Sequence, residues 1–246
     1  MGKNNELTFD DFKRLASDKS LSRYEKIGFP DSYRKEHEQN MLNDILAKLP
    51  FDKVKNKTIL DIGCGCSDLV FHIIDVCKKN NHTLILIDSE EMLSHIPDQD
   101  FIIKYSGYYP NLPALFEKHA GKVDYALSYS VFHYIFNEGN IYQFLHRTVD
   151  LLSMNGQFLL GDIPNYSKRE RFLNSEAGKE FLAKSAEASK LKGATNHDDT
   201  STKIDDAIVM AIITRLRAFQ CETYLLPQAD NLPMSNRRED ILIIKR

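Results

Sequence analysis

Residues 58–77 constrain this chain more than any other stretch. Thr58-Ile59-Leu60 runs apolar and β-branched into Asp61, and Gly63 and Gly65 follow at alternate positions. Leu69, Val70, Ile73, Ile74 and Cys77 then recur at helical spacing. The stretch reads strand, glycine turn, helix. A glycine turn leaves no Cβ between the backbone and a ligand. The helix that follows aims its first N–H groups at whatever occupies the turn.

Size and charge narrow the setting. A chain of 246 residues with 42% hydrophobic content supports a large domain with a buried core. A formal net charge of −3 carries no general nucleic-acid signature, so nucleic acid is not an expected partner. No apolar run approaches the roughly 18 residues of a membrane helix, and the start, MGKNNELTFD, lacks the apolar centre of a signal peptide. The four cysteines, two of them in the glycine turn, form neither a disulfide framework nor a paired zinc pattern. The expectation is a reduced, cytoplasmic protein with no membrane partner, its oligomeric state open.

The chain divides at about residue 36. Residues 1–36 read as an N-terminal arm: Phe9, Phe12 and Leu15 suggest a short helix, and Arg23 to Pro30 looks irregular because Gly28 and Pro30 interrupt any helix. Tyr24 and Arg34 in this arm are candidate substrate contacts. The arm either folds over a ligand as a lid or packs on the surface. Residues 37–246 form the main domain. His37 to Leu49 is helical, and Leu84-Ile85-Leu86-Ile87 is a continuous apolar run ending on Asp88, as a buried parallel strand would be. Phe101–Ile103, Val123–Ser128 and Phe158–Leu160 are further strands, and a helix over Ile141–Leu152 stops at Asn155-Gly156. Strands alternating with helices predict an α/β fold with a mostly parallel sheet. Its ligand crevice should lie at the carboxyl ends of the strands. Residues 165–203 break the rhythm and read as a helical insertion followed by a flexible loop over Gly193–Asp199. Cys221–Leu226 and Asp240–Ile244 have no helix between them and predict an antiparallel closing hairpin at the sheet edge.

The turn discriminates between cofactors. A dinucleotide site wants G-x-G-x-x-G, and the third glycine would stand where this chain has Asp68. Here an acid precedes the glycines instead, as Asp61-x-Gly63-x-Gly65. Ile59-Leu60-Asp61-Ile62-Gly63-Cys64-Gly65 resembles the first motif of class I S-adenosylmethionine-dependent methyltransferases, although Cys66 and Ser67 replace the usual Thr-Gly. The resemblance covers residues 37–163 and, more loosely, the closing hairpin. It implies a Rossmann-like, seven-stranded, mostly parallel sheet with helices on both faces. It also implies S-adenosylmethionine as cofactor and S-adenosylhomocysteine as product. Gly63 and Gly65 would admit the methionine part, and Asp61 would help hold it; on the residues alone, Asp61 also reads as a turn stabiliser. Asp88, 23 residues after Gly65, would accept the ribose hydroxyls, with Ser89 beside it. Gly107 stands where many members carry an adenine-binding acid, leaving backbone groups or Tyr108 to substitute. Ser128 and Ser130, in a stretch similar to the fourth motif, would line the cofactor.

Methyl transfer rests largely on alignment and exclusion of water, and an oxygen acceptor also needs a base. His133, just past the fourth strand, is one candidate, and a hydrogen-bonded structural histidine is its other reading. Asp162, at the end of the fifth strand, is the second; it also reads as a cap before Pro164. Asp205 and Asp206 are weaker. Arg237 and its neighbours Arg238, Lys168 and Arg169 suit an anionic acceptor. No metal is expected, because His197-Asp198-Asp199 is an adjacent run on a polar loop rather than a preformed ligand set. The reading is a methyltransferase for a small polar or anionic acceptor, at oxygen rather than nitrogen. The closing pattern from Leu226 to Asp240 resembles methyltransferases of bacterial surface-carbohydrate biosynthesis, whose acceptors are sugars, sugar nucleotides or phosphorylated intermediates. The alternatives are a protein or RNA methyltransferase, or a cofactor-binding regulator without turnover.

Overall fold

The computed structural model describes residues 7–192 and 204–246. The arm carries α1 (Phe9–Ser17), α2 (Arg23–Lys26) and α3 (Asp31–Arg34). The stretch from Arg23 to Pro30, read as irregular, thus holds the one-turn α2, and α3 follows it directly. A capping box explains the first: the Ser22 side chain accepts from the Glu25 N–H while the Glu25 carboxylate accepts from the Ser22 N–H. Helix α4 (Glu38–Lys48) buries Met41, Leu42 and Ile45 on one face, as the spacing predicts.

The main sheet then builds in βα units. Strand β1 (Thr58–Ile62) leads through the glycine turn to α5 (Asp68–Lys79), and β2 (Thr83–Asp88) leads to α6 (Glu90–Leu93). Next come β3 (Ile102–Ser106), α7 (Pro113–His119), β4 (Val123–Tyr129), α8 (Phe132–Glu138) and α9 (Ile141–Leu151). Strand β5 (Leu152–Pro164) begins directly where α9 ends. The helix therefore stops before the predicted Asn155-Gly156, because Leu152 is already paired with Val123 of β4. Helices α10 (Tyr166–Asn174) and α11 (Glu176–Lys192) form the insertion, and α12 (Asp206–Ala218) precedes β6 (Cys221–Pro227) and β7 (Arg238–Lys245). The loop expected at Gly193–Asp199, with His197-Asp198-Asp199, lies outside the described residues.

Seven strands pair in the order β3-β2-β1-β4-β5-β7-β6. The first five are parallel; β7 runs antiparallel to both β5 and β6, giving the expected closing hairpin. Alternation along the strands splits the core over two faces. Leu60, Ile62, Ile85 and Ile87 pack with side chains of α7, α9 and α12. Ile59, Leu84 and Leu86 pack on the other face with those of α4 and α5. Helices therefore cover both faces, and β2 is apolar and buried from Leu84 to Ile87. The chain crosses from one side of β1 to the other between β3 and β4, so a crevice opens at the carboxyl ends of β1 and β4. Among the described residues, no helix is long and apolar enough to cross a membrane.

Candidate active site

The crevice is a cleft of about 970 Å³, its open mouth included, lined by the glycine turn, Asp88, Gly107, Ser130 and side chains from the arm. Both turn glycines are required by geometry. Gly63 has φ +74°, and a Cβ there would stand 2.6 Å from Val131 Cγ2. Gly65 has φ +61°, and a Cβ would stand 2.8 Å from Ile27 Cγ2 of the arm. The bare Gly65 backbone is thus what lets the arm lie on the turn.

Asp88 closes the turn from the other side. Its Oδ2 accepts from the Gly65 N–H at 2.8 Å and its Oδ1 from the Ser89 N–H at 2.7 Å. Each oxygen keeps a further lone pair for donors in the cleft. Burial raises the Asp88 carboxyl to about 6 despite these bonds. Asp61 sits deeper, beneath the turn and outside the cleft lining. Burial first, and the Asp88 charge second, raise it to about 8. Cationic charge above the turn would favour ionisation of both groups.

Ser89 and Ser128 take other roles. The Ser89 hydroxyl caps α6 by accepting from the Met92 N–H at 3.2 Å. Ser128 is fully buried and donates to the Ile62 carbonyl at 3.2 Å, tying β4 to β1. Neither lines the cleft. Ser130 does, because its backbone adopts φ +62°, held by its N–H bond to the Gly161 carbonyl at 3.1 Å. Gly107 lines it as well, with Tyr108 adjacent.

The arm covers the opening. Phe9, Phe12, Ile27, Phe29 and Arg34 join Met92, Tyr134 and Ile135 in the lining. Periodicity alone did not assign these arm aromatics to a site; their concentration in an otherwise polar segment was the available signal. Asp68, the residue that breaks the dinucleotide pattern, accepts from Arg23 and from the Tyr24 hydroxyl, latching the arm to the start of α5. Tyr24 is therefore engaged by Asp68 and lies outside the cleft lining. Glu38, also missed from sequence, is buried and accepts from the Leu69 N–H, satisfying the first turn of α5.

Arg34 is 4% exposed, its guanidinium 4.3 Å from the centre of the Phe29 ring. It donates to Ser130 Oγ at 2.8 Å and lies 3.7 Å from Glu38. Ser130 in turn donates to Asp162. The Asp162 carboxylate also accepts from Gln228 at 3.2 Å and lies 3.4 Å from Arg238, and the Asp162 N–H donates to Asp240 at 2.8 Å. Asp162 sits inside β5, at a register shift with φ +59°, rather than at the strand end. Its oxygens are occupied, so it holds this corner in place and is not a free base. Asp205 caps α12 and Asp206 pairs with Arg171, so neither is free.

His133 is different. Its Nδ1 is buried and has no hydrogen-bond partner among the described residues. Burial first, and the Arg238 charge second, push its imidazole down to about 3, with Asp162 opposing. The ring is neutral, with a nitrogen unspent. It lies outside the donor cleft lining, on the Asp162–Arg238 side. Arg237 is in the same region, its guanidinium 5.5 Å from the centre of the Phe181 ring and its Nε buried without a partner. Among the described residues no group of three or more His, Cys, Asp or Glu side chains is placed to hold a metal ion.

The fold is shared with known proteins. The chain superposes on the plantazolicin methyltransferase BpumL in complex with S-adenosylhomocysteine with a TM-score of 0.60 at 15% identity, over 96% of this chain and 95% of that chain. It matches the DszA carbon methyltransferase with a TM-score of 0.57 at 13% identity, over 96% of this chain and 65% of that one. An S-adenosylmethionine-dependent methyltransferase from Aquifex aeolicus matches with a TM-score of 0.50 at 11% identity, over 89% and 100%. No family model matches the sequence, and no curated protein does. The fold is that of S-adenosylmethionine-dependent methyltransferases. The surface-carbohydrate expectation finds no support among these neighbours.

Proposed function

We propose that this protein is an S-adenosylmethionine-dependent methyltransferase that acts on a small polar acceptor at oxygen. One observation carries the reading: Gly63, Gly65, Asp88 and Ser130 surround a single cleft at the carboxyl ends of β1, β2 and β4. The cleft fits the donor. Asp88 retains acceptor capacity for a ribose diol, and the turn has no Cβ where the methionine part would lie. The aromatic and apolar side chains Phe9, Phe12, Met92 and Tyr108 offer an adenine-sized wall.

Gly63, Gly65 and Asp88 would hold the donor, which would supply a sulfonium-activated methyl group and keep the bonding electrons on its sulfur. The protein's own groups orient and protect the transfer. Phe12, Ile27 and Phe29 exclude water from above. Arg34 and Ser130 stand where the donor cleft meets the acceptor side. His133 leaves Nδ1 free among the described residues, and, pushed down to about 3, it could take the acceptor's proton only once a bound acceptor offsets the Arg238 charge that bears on it. An oxygen acceptor uses such a base, which favours oxygen over nitrogen.

Calorimetry with S-adenosylmethionine and with NAD tests the donor assignment: affinity for the first and none for the second is expected. Release of S-adenosylhomocysteine across a panel of small hydroxylated metabolites tests turnover. Donor binding with no release from any acceptor class, bulk RNA and protein included, would favour a regulator instead.

A further inference from the structure

A second polar region adjoins the donor cleft, and its groups are left incomplete. The turn Ser235–Arg237 follows Met234, whose φ is +67°, and leads directly into β7 at Arg238. Two consecutive residues of this turn bury unpartnered polar atoms: Asn236 Oδ1, an acceptor, and Arg237 Nε, a donor. His133 Nδ1 is a third unpartnered atom on this side of the molecule. Buried polar groups are ordinarily satisfied, so the Arg237 Nε–H calls for an acceptor, while Asn236 Oδ1 and His133 Nδ1 call for hydroxyl or N–H donors.

The charge of the corner states what kind. Among the described residues Arg237 forms no ion pair, and it lies near Arg238, Arg169 and the Tyr33 phenol. The carboxylates nearby are already occupied. Asp162 is held by Ser130, Gln228 and Arg238; Glu239 accepts from Asn165; Glu170 pairs with Arg169. Lys168 is spent on the Arg238 carbonyl, which fixes the start of β7 against α10. The guanidinium of Arg237 is therefore a partly desolvated cation without a counter-ion among the described residues, braced on the Phe181 ring. A planar fork of that kind matches a carboxylate or a phosphate.

We infer that the corner framed by Arg237, Arg238, Tyr33 and His133 is an oxyanion subsite that holds a carboxylate or phosphate of the methyl acceptor. The inference rests on the methyltransferase reading and deepens it. The acceptor carries an anionic group for Arg237 and, separated from it, the hydroxyl presented to His133. Its anion would also offset the guanidinium charge that bears on His133. The subsite draws on the arm, the insertion and the closing turn together. A complete subsite would therefore require all three segments in place.

The test uses the whole chain saturated with S-adenosylhomocysteine and titrated with inorganic phosphate and, separately, acetate. Saturable binding of at least one is expected, whichever binds more tightly naming the acceptor's anion. Arg237→Gln is expected to weaken it about tenfold or more while S-adenosylhomocysteine affinity stays unchanged. Arg237→Lys should recover part of the loss, since charge returns without the fork. Binding of phosphate and acetate to Arg237→Gln as in the parent chain, or no saturable binding of either probe, would overturn the subsite. Failure of S-adenosylhomocysteine to bind while an anion still binds at Arg237 would overturn the donor reading and leave the subsite standing.

Discussion

The N–H of Gly65 donates to Asp88 Oδ2 over 2.8 Å, so the acid at the end of β2 fixes the turn that follows β1. One carboxylate thus shapes the cleft floor and faces the cleft. Asp88→Asn keeps the size but halves the acceptor capacity and removes the charge. Affinity for S-adenosylmethionine should fall about 10- to 100-fold, in line with a lost charge-assisted bond. Calorimetry on a variant with unchanged circular dichroism checks this. Ser89→Ala makes the contrast: it removes the cap on α6 at a cost of about 1 kcal/mol in stability and should leave donor affinity intact.

Asp61 couples the donor to pH. Its carboxyl is raised to about 8 in the ligand-free protein, by burial first and the Asp88 charge second. The folded state therefore holds a proton that the unfolded chain releases near pH 4, and stability should decline as pH rises from there to about 8. Asp61→Asn removes that loss and should raise Tm at pH 8 by about 5 °C. A cationic ligand above the turn favours the carboxylate, so binding should expel a proton below pH 8. Affinity should then climb as pH approaches 8 and level off beyond it. Calorimetry in buffers of different ionisation enthalpy reads the proton directly, and no proton release would remove Asp61 from the donor site.

His133 should remain a neutral imidazole throughout the physiological range, since its value is pushed down to about 3. NMR of the ligand-free protein should show its ring resonances unmoved between pH 5 and 8. His133→Ala should slow single-turnover methyl transfer by about 10²- to 10⁴-fold with donor affinity unchanged. An unaltered rate would leave alignment alone as the catalytic device.

The arm gives a fourth test. Gly65→Ala places a methyl 2.8 Å from Ile27 Cγ2 at a φ of +61° and should cost about 1–2 kcal/mol from the backbone alone. The arm should lift, and limited proteolysis should cut it faster. Asp68→Ala breaks the half-exposed Arg23 pair, worth about 0.5 kcal/mol, and orphans the buried Tyr24 hydroxyl at about 1–3 kcal/mol more, so Tm should fall and S-adenosylhomocysteine should dissociate faster.

The parts of the site legible from sequence were the local ones. Asp61, Gly63, Gly65 and Asp88 stand at strand ends, where apolar runs and turn chemistry mark them within a few residues. Seven strands followed from the same signals, and the parallel order from their alternation with helices. What escaped depended on partners far along the chain. Glu38 caps α5 from 31 residues away. Asp162 looks free in its own segment, but its oxygens are taken by Ser130, Gln228 and Arg238. Ser128 and Ser130 are alike in composition and spacing. A single left-handed backbone angle at Ser130 puts one in the cleft and leaves the other in the sheet. Tyr24 shows the same limit, since its proximity to Asp68 becomes visible only once the arm has folded back.

The arm that lies across Gly65 has a kinetic consequence. A nucleoside enclosed beneath Ile27 and Phe12 has to wait for the arm to peel away before it can exchange with solvent. The lifting of some thirty residues of chain, rather than the making of a carbon–oxygen bond, would then set the pace of the cycle.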